Sequence, residues 1–397
     1  MIEYGSQAYR RVIYCMSLGS FLLFSNLYLF QPIMPILALD YDLAPTQVNW
    51  VFASTTLTLA LSLVLWAQVS DAYGRKKIML LGLYLPVVIN IGLLFDDSFR
   101  TLLVARALMG IALGAFAAIA MAYMAELLSA NALARAIGGY IAANSLGGIA
   151  GRLTGGILTD LFSWQFAVVV LSIATFIVAL ILQKWLPKEQ VFLSKKLSFY
   201  TLFRELYQHT SNTSVWFAML IGGLNFALFV NLFSVLGFRL TQAPFSLPTS
   251  VTSLIFLCYL TGTVTAKLSA NWTERHSAIQ GFYLGAGVSI LGLLLAYFDS
   301  VVVIIASLLL ISAGAFFVHA LAYAWVGAHA KTGRSTASAF YLVHYYAGGS
   351  AGGFLLLKSW TEAGWLGVIA SSLILYLGIF ILAFLLNKNS NIDEMPS

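Results

Sequence analysis

Four ionisable side chains stand inside long apolar stretches of this chain: Arg106, Arg152, His319 and His344. A charge in hydrocarbon costs about 3 kcal/mol or more, so such residues usually face a partner, a cavity or a substrate path. A guanidinium offers a planar fork of donors matched to carboxylate or phosphate. An imidazole titrates near neutral pH and can carry a proton. All 15 Asp and Glu fall outside the apolar stretches, so no acid is expected to neutralise the arginines. The pattern points to an electropositive cavity, a small anionic or polar substrate, and His319 and His344 as proton carriers. Each group also has a plainer reading. Arg106 can bind backbone carbonyls of a neighbouring helix, Arg152 can reach outward to the interface, and the histidines can be neutral and hydrogen-bonded in the core. The uncharged candidates for substrate contact are Asn26, Gln31, Asn144, Asn225, Tyr341 and Tyr345. Amides in such places also bridge helices.

The elements that must hold these groups follow from composition. The 397 residues are 60% hydrophobic and 9% charged, against about 25% charged in soluble domains, and the mean hydropathy is +0.89. Apolar stretches recur at 12–37, 47–68, 78–95, 102–121, 136–158, 164–182, 215–237, 249–268, 278–297, 301–326, 337–357 and 366–386. About 20 such residues cross a hydrocarbon layer about 30 Å thick. Within it every backbone N–H and C=O must be satisfied inside the segment, which makes these stretches helices. The short alternating segments of a β-barrel are absent. The expected fold is an all-α integral membrane protein of 12 transmembrane helices.

A polar interruption at 185–214 divides the chain into a six-helix half (1–184), a linker, and a second six-helix half (215–397). That is the layout of transporters built from two pseudo-symmetric halves with the substrate near the bilayer midplane. Within the linker, 197–206 is expected to form an amphipathic helix at the interface. With the N-terminus in the cytoplasm, only Arg100, Arg239 and Lys358 of the 21 Lys and Arg fall on the outer side. Arg106 and Arg152 lie in spans and the remainder face the cytoplasm, as the positive-inside rule requires. Both termini are therefore expected in the cytoplasm. The net charge of +6 reports topology, and no nucleic-acid partner is implied.

The first stretch is too long for a cleavable signal and is expected to remain as a helix. Cys15 and Cys258 read as small buried apolar residues, with no disulfide framework or metal spacing. No nucleotide loop, zinc motif or serine-hydrolase motif occurs. Neither an enzyme nor a cofactor is expected.

Three motifs remain. Residues 67–77 read A-Q-V-S-D-A-Y-G-R-K-K and contain Asp71, Gly74 and Arg75; Arg106 is followed at four-residue steps by Gly110 and Gly114; and Gly138, Gly147, Gly151, Gly155 and Gly156 punctuate the fifth stretch. Together these resemble the major facilitator superfamily. The first is similar to that family's G-x-x-x-D-[RK]-x-G-[RK]-[RK] segment, with Ala67 and Ala72 departing from it. The glycines match the G-x8-G-x3-G-P-x2-G-G pattern of its drug:proton antiporters, with Arg152 at the proline position. The segments 237–240, 259–263 and 341–353 look like its arabinose-efflux-like permeases.

The resemblance implies alternating access in a bacterial inner membrane. It implies a cytoplasmic gate of Asp71, Gly74, Arg75 and Glu126, with Ser335 and Thr336 capping the eleventh helix beside Asp71. It also implies antiporter-type export driven by protons. The expected partners are a small-molecule substrate, protons and membrane lipids, and the expected working form is a monomer. Two alternatives stay open: proton-coupled uptake of an anionic metabolite or siderophore-like chelate, and a membrane ligand sensor that does not transport.

Overall fold

The structure, a computed structural model, describes residues 1–187, 199–330 and 333–393. Much of the expected linker, including the start of the expected amphipathic helix at 197–198, lies outside the described residues. In chain order come α1 (Gln7–Tyr28), α2 (Met34–Asp40), α3 (Pro45–Val48), α4 (Trp50–Tyr73), α5 (Arg75–Gly92) and α6 (Phe99–Ala117). Next are α7 (Ala120–Leu127), α8 (Ala130–Leu161), α9 (Trp164–Trp185), α10 (Phe199–Ser211) and α11 (Thr213–Thr241). The chain continues with α12 (Thr249–Ser253), α13 (Tyr259–Thr273), α14 (Ala278–Leu295), α15 (Val301–His329) and α16 (Arg334–Asp393). Among the described residues the nearest approach to a strand is one isolated parallel bridge between Ile2 and Leu128.

Among the described residues, eight helical segments are long and apolar enough to cross a membrane. The last of them is folded back at Gly364, whose φ of 59° breaks α16 in two. With α1, α5 and α8, whose charges and glycines make them less apolar, the twelve expected spans are accounted for. Gly74 has a φ of 99° at the turn from α4 into α5, a conformation in which a side chain would be strained. The first expected stretch, 12–37, is not one helix. The chain leaves α1 after Tyr28 and resumes at Met34, around Pro32, which lacks an N–H to continue the ladder.

The chain forms two compact units. Unit 1 comprises Met1–Leu43, Trp50–Ser198 and Leu240–Leu254; unit 2 comprises Ala44–Asn49, Phe199–Arg239 and Ile255–Ser397. In unit 1 a stripe of glycines lets α8 lie directly on α1. A Cβ at Gly147 would come within 2.2 Å of the Phe21 carbonyl oxygen, at Gly151 within 2.3 Å of that of Ser25, and at Gly155 within 2.0 Å of that of Leu29. Backbones approach this closely only through small residues, the usual currency of helix association in lipid.

Unit 2 repeats the device. A Cβ at Gly348 would meet the Gly223 carbonyl oxygen at 2.1 Å, and at Gly352 that of Ala227 at 2.4 Å. Likewise Thr58 Oγ1 donates to the Ala107 carbonyl at 2.7 Å, joining α4 to α6, and Thr265 Oγ1 donates to that of Ala313 at 2.8 Å, joining α13 to α15. The same contacts, about 200 residues apart in sequence, mark an internal repeat.

Candidate functional site

In unit 1 the two buried arginines converge on the break after α1. The last carbonyls of a helix lack intrahelical partners, and Arg106, rising from α6, supplies them. Its Nη1 lies 3.1 Å from the Asn26 carbonyl oxygen, its Nη2 2.8 Å from that of Leu27, and its Nε 3.3 Å from that of Val51. The Phe30 ring lies 4.9 Å from the guanidinium.

Arg152, from α8, donates through Nε to Gln31 Oε1 at 2.8 Å and through Nη1 to the Gly148 carbonyl at 3.0 Å. Its guanidinium stacks 3.7 Å from the centre of the Tyr28 ring. Arg152 does not reach outward: both arginines are only 1% exposed. Among the described residues Arg106 forms no ion pair. A helix C-terminus carries roughly half a negative charge, so the full charge of Arg106 at that end, with no ion pair among the described residues, leaves a positive surplus.

The asparagines expected at a substrate are committed to joining helices. Asn26 Nδ2 donates to the Leu22 carbonyl at 2.8 Å and to Thr175 Oγ1 at 2.9 Å, while its Oδ1 accepts from Asn90 Nδ2 at 3.3 Å. Asn144 accepts from the Ser20 hydroxyl. Asn225 Nδ2 donates to the Ala315 carbonyl at 2.9 Å, tying α11 to α15. In an apolar bundle an amide has few better partners than the next helix. Gln31, in the broken segment, instead gives its side-chain oxygen to Arg152.

In unit 2, Tyr341 and Tyr345 stand one turn apart on α16 and both meet His319 of α15. The Tyr341 hydroxyl lies 2.9 Å from His319 Nδ1, and the Tyr345 ring centre lies 4.4 Å from that of the imidazole. Tyr345 in turn stacks on Phe226 at 3.9 Å. His344 has different surroundings: its Nδ1 lies 2.8 Å from the Phe340 carbonyl oxygen of its own helix, and its ring meets Trp216 edge-on at 4.8 Å. The structure therefore joins His319, Tyr341 and Tyr345 and gives His344 another neighbourhood. Sequence reasoning missed Phe226 and Trp216. The available signal for Phe226 was the pair of glycines, Gly222 and Gly349, that make room for rings on facing helices.

A charged cluster stands at the α4–α5 turn of unit 1. Arg75 Nη2 lies 3.1 Å from Asp71 Oδ1 and 2.6 Å from Glu126 Oε1. Arg75 is the first residue of α5, where a cation opposes the helix dipole, and the two carboxylates offset that. Lys76 Nζ caps the end of α9 through the carbonyls of Gln183 (3.0 Å) and Leu186 (2.6 Å). The corner after Glu126 is pinned by the N-terminal residues: the Ile2 N–H donates to the Leu127 carbonyl at 2.7 Å, and the Ser129 N–H to that of Ile2 at 3.1 Å.

One expectation is corrected. Ser335 and Thr336 fall within the first turn of α16, which begins at Arg334, and not at its cap. Gly138 has nothing within 4 Å of its would-be Cβ, so it takes no part in the glycine stripe, whereas a Cβ at Gly156 would come within 2.4 Å of the Ser253 side chain. With Arg152 at the proline position, α8 runs unbroken for 32 residues. Among the described residues no group of His, Cys, Asp and Glu is placed to hold a metal ion.

This architecture is that of a known class. The family model of the Major Facilitator Superfamily matches residues 16–353, and the chain belongs to that superfamily: it is a multi-pass membrane transporter with the twelve-helix fold. Inner membrane transport protein YnfM of Escherichia coli (strain K12) is 34% identical over 367 residues, covering 92% of this chain and 88% of that protein. Uncharacterized MFS-type transporter YybF of Bacillus subtilis (strain 168) is 30% identical over 368 residues, covering 93% and 91%. The crystal structure of the human organic anion transporter MFSD10 (TETRAN) shares the fold, with a TM-score of 0.71 at 19% identity over 94% of this chain and 99% of that one.

Proposed function

We propose that this secondary transporter exports a small anionic or polar compound across the bacterial inner membrane, in exchange for protons and by alternating access. The observation that carries the reading is the positive surplus at the α1 break. Arg106 is buried with three carbonyls and no ion pair among the described residues, and Arg152 lies at the same break, held by Gln31. A buried, preorganised guanidinium favours a carboxylate or phosphate over a cation. Arg106 is the fixed charge and Arg152, with Gln31, the substrate-facing pair. His319 and His344 are the proton carriers of this reading, and the Asp71–Arg75–Glu126 cluster is its cytoplasmic gate, with both chain termini on that side. Export is favoured over uptake by the glycine pattern of α8, and no enzymatic step is involved.

A ligand panel read by thermal shift tests this on the purified protein and on Arg152→Ala and Arg152→Lys. Small organic anions are expected to stabilise the wild type, by about 2.7 kcal/mol at a hundredfold excess over Kd. That effect should vanish in the alanine variant and weaken in the lysine variant. Stabilisation by lipophilic cations alone, unchanged in either variant, contradicts the reading.

A further inference from the structure

Glu126 stands in the last turn of α7, a helix of eight residues that the interruption at 118–119 detaches from α6. The register of α6 therefore does not by itself place this carboxylate against Arg75. Tyr123 ties the middle of α7 down, its hydroxyl donating to the Pro187 carbonyl at 2.6 Å. Beyond Glu126, Leu128 and Ser129 are extended, with ψ of 147° and 159°, before α8 starts. Extended backbone turns its N–H and C=O groups sideways, where they need partners from another segment.

Residues 2–6 of the same unit supply them. Ile2 brackets Leu128 in a parallel bridge: its N–H donates to the Leu127 carbonyl at 2.7 Å, and its carbonyl accepts from the Ser129 N–H at 3.1 Å. Ser129 is the N-cap of α8, yet its side chain makes no cap bond there. Its hydroxyl donates instead to Glu3 Oε2 at 2.8 Å. The Glu3 carboxylate thus lies at the N-terminus of a 32-residue helix, where negative charge is favoured. The Arg135 guanidinium, from the same helix, lies 4.4 Å over the Tyr4 ring. Gly5, at a φ of 80°, then turns the chain, and Ser6 caps α1 by accepting from the Tyr9 N–H at 3.1 Å. A few residues of backbone join the corner beside Glu126 to the first turn of α1.

We propose that residues 2–6 are a positioning segment of the cytoplasmic gate: by pairing with Leu127 and Ser129 they hold Glu126 against Arg75, so that the start of α1 and the α4–α5 turn yield together. This rests on the reading of Asp71, Arg75 and Glu126 as that gate, and adds the segment that sets it. The link runs through backbone groups, so it survives a change of side chain at Ile2 and fails when the N–H is removed.

Hydrogen exchange of the full-length protein in detergent, read by mass spectrometry at residues 74–78, tests the link, because exchange reports local opening. Glu126→Gln is expected to speed exchange there roughly two- to tenfold, the worth of one hydrogen-bonded contact. Ile2→Pro, which lacks the N–H for Leu127, should speed the same segment comparably. The double variant should be no faster than the faster single one, since contacts in one chain of interactions do not add. Ile2→Ala should exchange as the wild type does. The α14–α15 turn of unit 2 is the internal reference and should not change. Ser129→Pro cuts the other bond of the bridge at a φ of −65° that proline fits, and it decides the matter if Ile2→Pro also disturbs the reference. Faster exchange at 74–78 in Glu126→Gln but in neither proline variant, or an Ile2→Ala effect as large as theirs, overturns the proposal and leaves the gate standing. No change in Glu126→Gln overturns the gate reading and the proposal with it.

Discussion

Nη2 of Arg106 lies 2.8 Å from the carbonyl oxygen of Leu27, in the last turn of α1. The relationship explains how a helix can stop within an apolar stretch without stranding its carbonyls: a side chain from α6 replaces the missing backbone donors. Each carbonyl deprived of a partner in a buried place costs about 1–3 kcal/mol. Arg106→Leu should therefore lower the thermal stability of the protein in detergent by several kcal/mol. Arg106→Lys, with a single ammonium for three acceptors, should recover only part of that loss. An unchanged melting temperature in the leucine variant would show that the α1 break does not depend on this bond.

The glycines of α8 should divide sharply. Gly151→Ala places a methyl 2.3 Å from the Ser25 carbonyl oxygen and is expected to cost about 1–3 kcal/mol of stability by overpacking. Gly138→Ala meets nothing within 4 Å and should be neutral or stabilising by up to about 1 kcal/mol, since alanine is the better helix former. Equal melting temperatures for the two variants would contradict the α8–α1 contact.

The paired threonines test the internal repeat. Thr58→Val and Thr265→Val each remove one interhelical hydrogen bond of nearly equal length, 2.7 and 2.8 Å. Such bonds average about 0.6 kcal/mol in membrane proteins, so both variants should lose similar stability, and the double variant should lose the sum. A large loss in one and none in the other would mean that the two contacts are not equivalent.

Much of this arrangement is legible in the residue pattern, and the remainder is not for identifiable reasons. Apolar length alone locates the spans, because lipid leaves helices as the way to satisfy the backbone. Gly74 announces its turn, since its positive φ excludes most other residues. The breaks are harder to read. Nothing in the apolar run 12–37 shows that α1 stops at Tyr28; Pro32 gives a hint, but the stop depends on Arg106, 75 or more residues away in sequence. The continuous run 102–121 likewise conceals the interruption between α6 and α7. At the site, residue type alone cannot separate an amide that bridges helices, such as Asn26 with Thr175 and Asn90, from one that meets a charged group, such as Gln31. That distinction belongs to packing. The same holds for the two histidines, alike in sequence context and unlike in their neighbours.

The Arg75 cluster should respond to charge. Arg75 is shared between Asp71 and Glu126, and the Glu126 carboxylate is about half exposed. A double-mutant cycle of Arg75→Ala and Glu126→Ala should give a stability coupling of about 0.2–1 kcal/mol, the range for partly solvated pairs, shrinking as salt is raised. A coupling of zero at low salt would reduce the 2.6 Å contact to proximity.

The central claim, proton-linked movement of an anion, is tested most directly in proteoliposomes containing the full-length protein and an internal pH-sensitive dye. Addition of a small organic anion such as benzoate to one side should start a proton flux that is absent from protein-free vesicles and abolished in Arg152→Ala. An imposed pH gradient should drive uphill movement of the radiolabelled anion. Proton flux started by lipophilic cations and not by anions, or anion movement indifferent to the pH gradient, would contradict the account.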